Sequence, residues 1–154
     1  MSIEKSKRLD APMNLLVVED DDVDVISLRR SFSAQGVDVQ ITRAVDGVDA
    51  LERLRSGEMK EPFLVLLDIQ MPRMTGIEFL TEVRADPVLD SSVVFVLTTS
   101  QAQQDVLASF KKNVAGYFVK NESAKDYQEV VDLMQNYWQT SLLPRFLSAS
   151  HQHK

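Results

Sequence analysis

Five short apolar runs, each followed by a longer segment with helical spacing, predict an α/β fold: a five-stranded parallel sheet, doubly wound, in a three-layer sandwich. Three observations carry the prediction. Most of the runs lack polar alternation, as strands covered on both faces do. The segments between them repeat apolar residues every three or four positions. At 154 residues and 44% apolar composition, the chain is long enough to bury one core and too apolar to be disordered.

In chain order, "NLLVV" (14–18) is a buried strand, and "DVISLRRSFSAQG" after it places Val25, Leu28 and Phe32 on one helix face, with Gly36 as the stop. "VQITRA" (39–44) alternates like a half-exposed edge strand. "DGVDALERLRSGE" then aligns Val48, Leu51 and Leu54. "FLVLLD" (63–68) precedes the helical "TGIEFLTEVRAD", and "VVFVLTT" (93–99) precedes "QAQQDVLASFKKN", with Thr99 and Ser100 as loop and N-cap residues. "GYFVK" (116–120) leads to the last helix, whose start "SAKD" (123–126) reads as a capping box. The expected organisation is a flexible tail at 1–12, one domain at 13–140, and an extension at 141–154 that contributes to an interface and then becomes disordered.

Composition removes several function classes. Without cysteine there is no disulfide, thiolate catalysis or Cys-ligated zinc. A net charge of −6 opposes nucleic-acid binding, and "KSKR" (5–8) reads as a solvated tail. No apolar run could span a bilayer and no signal peptide is evident, so a cytoplasmic protein is expected, with neither membrane nor nucleic acid as partner. His151 and His153 sit in the last four residues and read as a frayed end.

Ligands of such sheets sit outside the carboxyl ends of the strands. There the chain places Glu19 and Asp20, Asp68, Thr98 with Thr99 and Ser100, and Lys120. Three carboxylates suit a hard, oxygen-ligated cation such as Mg²⁺, which with the lysine would balance their charge. An aspartate beside such an ion and a lysine can attack phosphorus, giving an aspartyl phosphate. An EF-hand reading of "DDDVDV" fails, because Val25 and Ser31 stand where Gly and Glu are needed. Asp21, Asp22 and Asp24 read as helix N-terminal acids favoured by the macrodipole.

The pair "ED" (19–20), "LLDIQMPRMTG" (66–76), "VLTTS" (96–100) and "GYFVK" (116–120), in order over about 14–140, resemble the receiver domains of bacterial two-component response regulators. The resemblance implies the flavodoxin-like strand order 2-1-3-4-5. It implies that Asp68 accepts a phosphoryl group from the phosphohistidine of a sensor histidine kinase. Mg²⁺ would be held by Glu19, Asp20, Asp68 and the backbone carbonyl of Gln70. Thr98 would hydrogen-bond the phosphoryl group, Lys120 would pair with it, and Tyr117 would be the aromatic switch turning inward as Thr98 moves. In one departure, Asn121 follows the lysine where the family commonly has proline, so a cis Lys–Pro bond is not carried over. "VEDDDVDV", the non-proline after Lys120 and "YWQTSLLP" (137–144) resemble the single-domain regulators that partner phytochrome-type kinases.

The last helix carries more apolar surface than one face needs. Tyr127, Val131, Met134, Tyr137, Trp138 and Leu142 are expected to form a homodimer interface together with strand five. The expected function is a single-domain phosphoacceptor that signals to an unknown downstream protein through altered contacts and catalyses only its own phosphorylation and dephosphorylation. A Mg²⁺-dependent phosphohydrolase would need an acid/base two residues after Asp68, where Gln70 stands. A nucleotide-binding domain lacks its glycine motifs. A phosphorylation-independent adaptor would not need Asp68, Thr98 and Lys120 intact.

Overall fold

The computed structural model describes residues 11–120 and 127–141. The terminal segments, the "SAKD" start, the Lys120–Asn121 bond and Leu142 lie outside the described residues. Five β–α units follow one another: β1 (Met13–Val18), α1 (Asp22–Ala34), β2 (Val39–Ala44), α2 (Gly47–Arg55), β3 (Leu64–Leu67), α3 (Gly76–Ala85), β4 (Val93–Thr98), α4 (Gln103–Lys111), β5 (Gly116–Val119) and α5 (Gln128–Thr140). The strands form one sheet in the order β2-β1-β3-β4-β5, with every pairing parallel. The three-layer architecture and the 2-1-3-4-5 order are therefore as expected.

Alternation along the strands divides the core into two layers, because successive side chains point to opposite faces. Leu16, Val18, Val65, Leu67, Val94 and Val96 pack in the cluster that holds Leu51, Leu54, Phe79 and Val83 of α2 and α3. Leu15, Val17, Leu64, Leu66, Phe95 and Leu97 pack with Val25, Leu28 and Phe32 of α1 and with α5. β3 is buried along its whole length, whereas β2, on a sheet edge, is mostly half-exposed, as its alternating sequence predicts.

The helix ends follow local chemistry. Asp21 caps α1, accepting the amide of Val23 at 2.8 Å, and Gly36 takes a φ of 67° just past its end. Thr75 and Glu78 form a reciprocal capping box on α3. Ser100 is not the cap of α4. That helix starts after Ala102 without a side-chain cap, and the Ser100 hydroxyl donates to Asp105 at 2.6 Å.

The last helix requires a correction. Tyr127, Val131, Met134 and Trp138 are not an exposed patch. They are buried against the sheet, and half-buried Tyr137 meets the ring of Phe95 edge-on at 5.2 Å. The wide apolar band is needed because α5 must cover Phe95 and Phe118 beside α1. Among the described residues, the large apolar side chains left exposed in this part of the molecule are Leu107 and Phe110 on α4, Val119 on β5 and Leu133 on α5. Among the described residues, no helix is long and apolar enough to cross a membrane.

Candidate functional site: strand-end acids gathered on one lysine

Parallel pairing itself gathers the polar residues. The ladder continues one residue past each strand: the Glu19 amide donates to Ala44, Asp68 to Val18 and Lys120 to Thr98, at 2.9–3.0 Å. Residues remote in sequence thus leave the sheet at one level and one edge.

Lys120 is the centre of the cluster. Its ammonium donates to Glu19 Oε1 at 2.7 Å, to Asp24 Oδ2 at 2.7 Å and to Asp68 Oδ2 at 3.4 Å. Only 7% of its side chain is exposed. Asp68 is equally buried, and its Oδ1 accepts the Gln70 amide at 3.0 Å, which folds the following loop back over the carboxylate. Glu19 accepts the Asp21 amide at 3.1 Å, while Asp20 stands exposed beside it. One oxygen each from Glu19, Asp20 and Asp68 lies within 4.8 Å of the others. This all-oxygen, anionic donor set fits a hard divalent cation.

The electrostatics match this crowding. Burial, aided by the charge of Asp68, pushes the Glu19 carboxyl up to about 8 against the opposing pull of Lys120. Burial alone would depress Lys120, but the carboxylates of Asp24 and Glu19 outweigh it and hold the lysine charged, above its ordinary value. Asp24 thus adds a fourth carboxylate to the three that a divalent ion and one lysine would balance.

Thr98 is fully buried at the end of β4, and its hydroxyl oxygen accepts the Ser100 amide at 3.3 Å. Half-buried Tyr117 donates its hydroxyl to the Ser100 carbonyl at 2.7 Å. An open cleft of about 720 Å³ runs between the loop after β3 and α4, lined by Gln70, Met71, Pro72 and Ala108 among others.

Glu19, Asp20, Asp68 and Lys120 therefore converge as expected, and Thr98 ends the adjoining strand. Two further residues join the cluster, Asp24 and Tyr127. Asp24, expected only as a helix N-terminal acid favoured by the macrodipole, turns inward to Lys120. The signal was available, because Asp24, Leu28 and Phe32 are spaced by four and the latter two belong, with Val25, to the buried stripe of α1. Tyr127 donates its hydroxyl to Asp24 Oδ1 at 3.1 Å, and burial together with Asp24 pushes the phenol up to about 12. Arg73, in the loop after Asp68, takes a left-handed φ of 63° and grips Asp46, the N-cap of α2, through two bonds of 2.6 and 3.0 Å. No periodicity in the sequence announces that pair.

Comparison with known proteins converges on one family. The response regulator Rcp1 of Synechocystis is 33% identical over 138 residues, covering 86% of this chain and 94% of that protein. A crystal structure of the Mn²⁺-bound form of response regulator Rcp1 superposes with a TM-score of 0.76 at 31% identity, covering 87% of this chain and all of that one. The phosphorylated cyanobacterial phytochrome response regulator RcpA superposes with a TM-score of 0.78 at 27% identity, covering 88% of this chain and all of the other. The family model of the response regulator receiver domain matches residues 15–132, from the core of β1 into α5 and across every residue of the acidic cluster. With that match added to the strand order and the gathered acids, the chain belongs to the response regulator receiver domain family.

Proposed function

We propose that the protein is a response regulator that accepts a phosphoryl group on Asp68 from a sensor histidine kinase. The observation that carries this reading is the setting of Asp68, a buried carboxylate at a strand end, 3.4 Å from the Lys120 ammonium and within the acid cluster that fits a divalent ion. Lys120 supplies fixed positive charge toward the transferred oxygens. Glu19, Asp20, Asp68 and the Gln70 carbonyl would hold Mg²⁺, which when bound neutralises the developing charge on the phosphoryl group.

An Asp68 oxygen attacks phosphorus, and the P–O bond forms as the P–N bond of the donor phosphohistidine breaks. The departing imidazole keeps the electron pair and takes up a proton. Hydrolysis of the acyl phosphate by water returns the carboxylate, so the protein catalyses only its own phosphorylation and dephosphorylation. Thr98 and Tyr117 form the switch: the Thr98 hydroxyl moves to the phosphoryl group and gives up the Ser100 amide, and the Tyr117 hydroxyl leaves the Ser100 carbonyl.

Likeness to RcpA and Rcp1 supports a phytochrome-type kinase as the donor, and the cytoplasm as the place where the two meet. Output passes to a downstream protein. Homodimerisation uses β5, the last strand of the sheet among the described residues, and the neighbouring α4 and α5, through Leu107, Phe110, Val119 and Leu133. The test of the acceptor is incubation with Mg²⁺ and acetyl phosphate followed by intact mass. One phosphoryl group is gained by the wild type and none by Asp68→Asn, and incorporation that survives the substitution refutes the assignment.

A further inference from the structure

Asp24 has no part in the chemistry proposed above, yet with Glu19 it is one of the two closest partners of Lys120. An ammonium has three donors. Two are engaged at 2.7 Å, by Glu19 and Asp24, and the contact to Asp68 is the long one at 3.4 Å. The Asp24 carboxylate is held in this pose from its other side, since Oδ1 accepts the hydroxyl of buried Tyr127. Tyr127 is anchored in turn, its amide donating to Ser31 Oγ of α1 at 3.1 Å. The ring therefore points Asp24 Oδ2 at the lysine.

We propose that Asp24 is a positioning residue that holds Lys120 back from Asp68 in the resting protein, competing with the phosphoryl group for one ammonium. The inference rests on the acceptor role of Asp68. A phosphoryl group there places strongly charged acceptor oxygens beside Nζ, and a charge-assisted bond to them, made by the donor that now has only the long contact, draws the lysine toward Asp68. Movement in that direction strains both short contacts, and the less firmly held of the two lengthens. Glu19 is buried among the cation-binding acids, whereas 28% of the Asp24 side chain is exposed against 7% for Glu19. Asp24 is the partner that water can resolvate, so it is the one released. Its attraction for Lys120 favours the unmodified state and sets how much the phosphoryl group must supply to shift the equilibrium.

The experiment titrates the protein, residues 1–154, with beryllofluoride, a phosphoryl stand-in, at saturating Mg²⁺ and follows the bound fluoride by NMR. Asp24→Asn keeps the side-chain shape and an oxygen for Tyr127 but offers Lys120 no charge. Half-saturating beryllofluoride should fall about tenfold, the scale of one lost charge-assisted bond in the competing state. Tyr127→Phe removes only the hydroxyl and should tighten binding in the same direction by a smaller factor. A merely structural role for Asp24 would lower the melting temperature without tightening binding.

Unchanged or weaker binding by a folded Asp24→Asn overturns the proposal, and if that variant does not fold, Tyr127→Phe decides by the same criterion. A wild type that takes up neither beryllofluoride nor a phosphoryl group from acetyl phosphate overturns the acceptor role, and this inference with it. A wild type that takes up both, beside variants that do not tighten, overturns only the role of Asp24.

Discussion

Gly76 opens α3 with its Cα pressed against the strand end that carries Asp68, and replacing it with alanine tests how closely that contact sets the site. A Cβ at this position would stand 2.6 Å from Ile69 Cα and 2.8 Å from the Asp68 carbonyl oxygen. Ordinary contact begins at 3.4 Å, so the backbone must separate by 0.8 Å at the nearer atom. Neither neighbour is the end of a flexible side chain, and the Gly76 amide is also bonded to the Ile69 carbonyl at 2.7 Å. Inserting a methyl group where backbone must yield costs about 1–3 kcal/mol. For a domain of this size, that lowers the melting temperature by roughly 2–10 °C.

The functional loss should exceed the loss of stability. The displaced atoms belong to Asp68 and its neighbour, and misplacing a reacting group by about 1 Å costs up to roughly a hundredfold in rate. The assay is a thermal melt by circular dichroism beside the rate of phosphorylation by acetyl phosphate at saturating Mg²⁺. Slower phosphorylation at a temperature where the variant is fully folded is the expected result. A variant that melts and phosphorylates like the wild type would show that the α3 contact does not set the position of Asp68.

Arg84 should be a structural clamp: its guanidinium donates to the carbonyls of Lys112, Asp90, Ser92 and Asn113 at 2.7–3.0 Å, tying α3 to the end of α4 and the approach to β4. Arg84→Met should cost about 2–4 kcal/mol by urea denaturation, since several carbonyls lose their donor at once, and a loss below about 0.5 kcal/mol would count against this. The Arg73 guanidinium beside Asp46 holds that carboxyl below its ordinary value of 3.8. The unfolded chain then binds the proton more readily, so the contribution of Asp46 is complete above that value and is lost as pH falls through the lower folded one. The stability gap between wild type and Asp46→Asn should therefore be widest near neutral pH and close on acidification, and a gap independent of pH in urea melts would refute the pairing. Sedimentation velocity should detect a dimer that weakens when Leu107 and Phe110 are both replaced by glutamate; a wild type that stays monomeric at high concentration, with and without beryllofluoride, removes the dimer.

Much of this protein is set by short-range pattern. Unbroken apolar runs such as "LVLL" in β3 can satisfy themselves only inside a covered sheet, and the acids, hydroxyl and lysine that follow such runs must then emerge at one edge. Glu19, Asp20, Asp68, Thr98 and Lys120 are legible for that reason. Tertiary structure alone decided which way an ambiguous side chain turned. Asp24 reads as a helix N-terminal acid until Lys120 and Tyr127, each about a hundred residues away in sequence, arrive beside it. Tyr127, Val131, Met134 and Trp138 read as an interface until α5 lies across Phe95 and Phe118 and absorbs them. In both cases the energy lies in a contact between distant segments, which periodicity cannot encode, because burial and pairing belong to the folded neighbourhood and not to the residue.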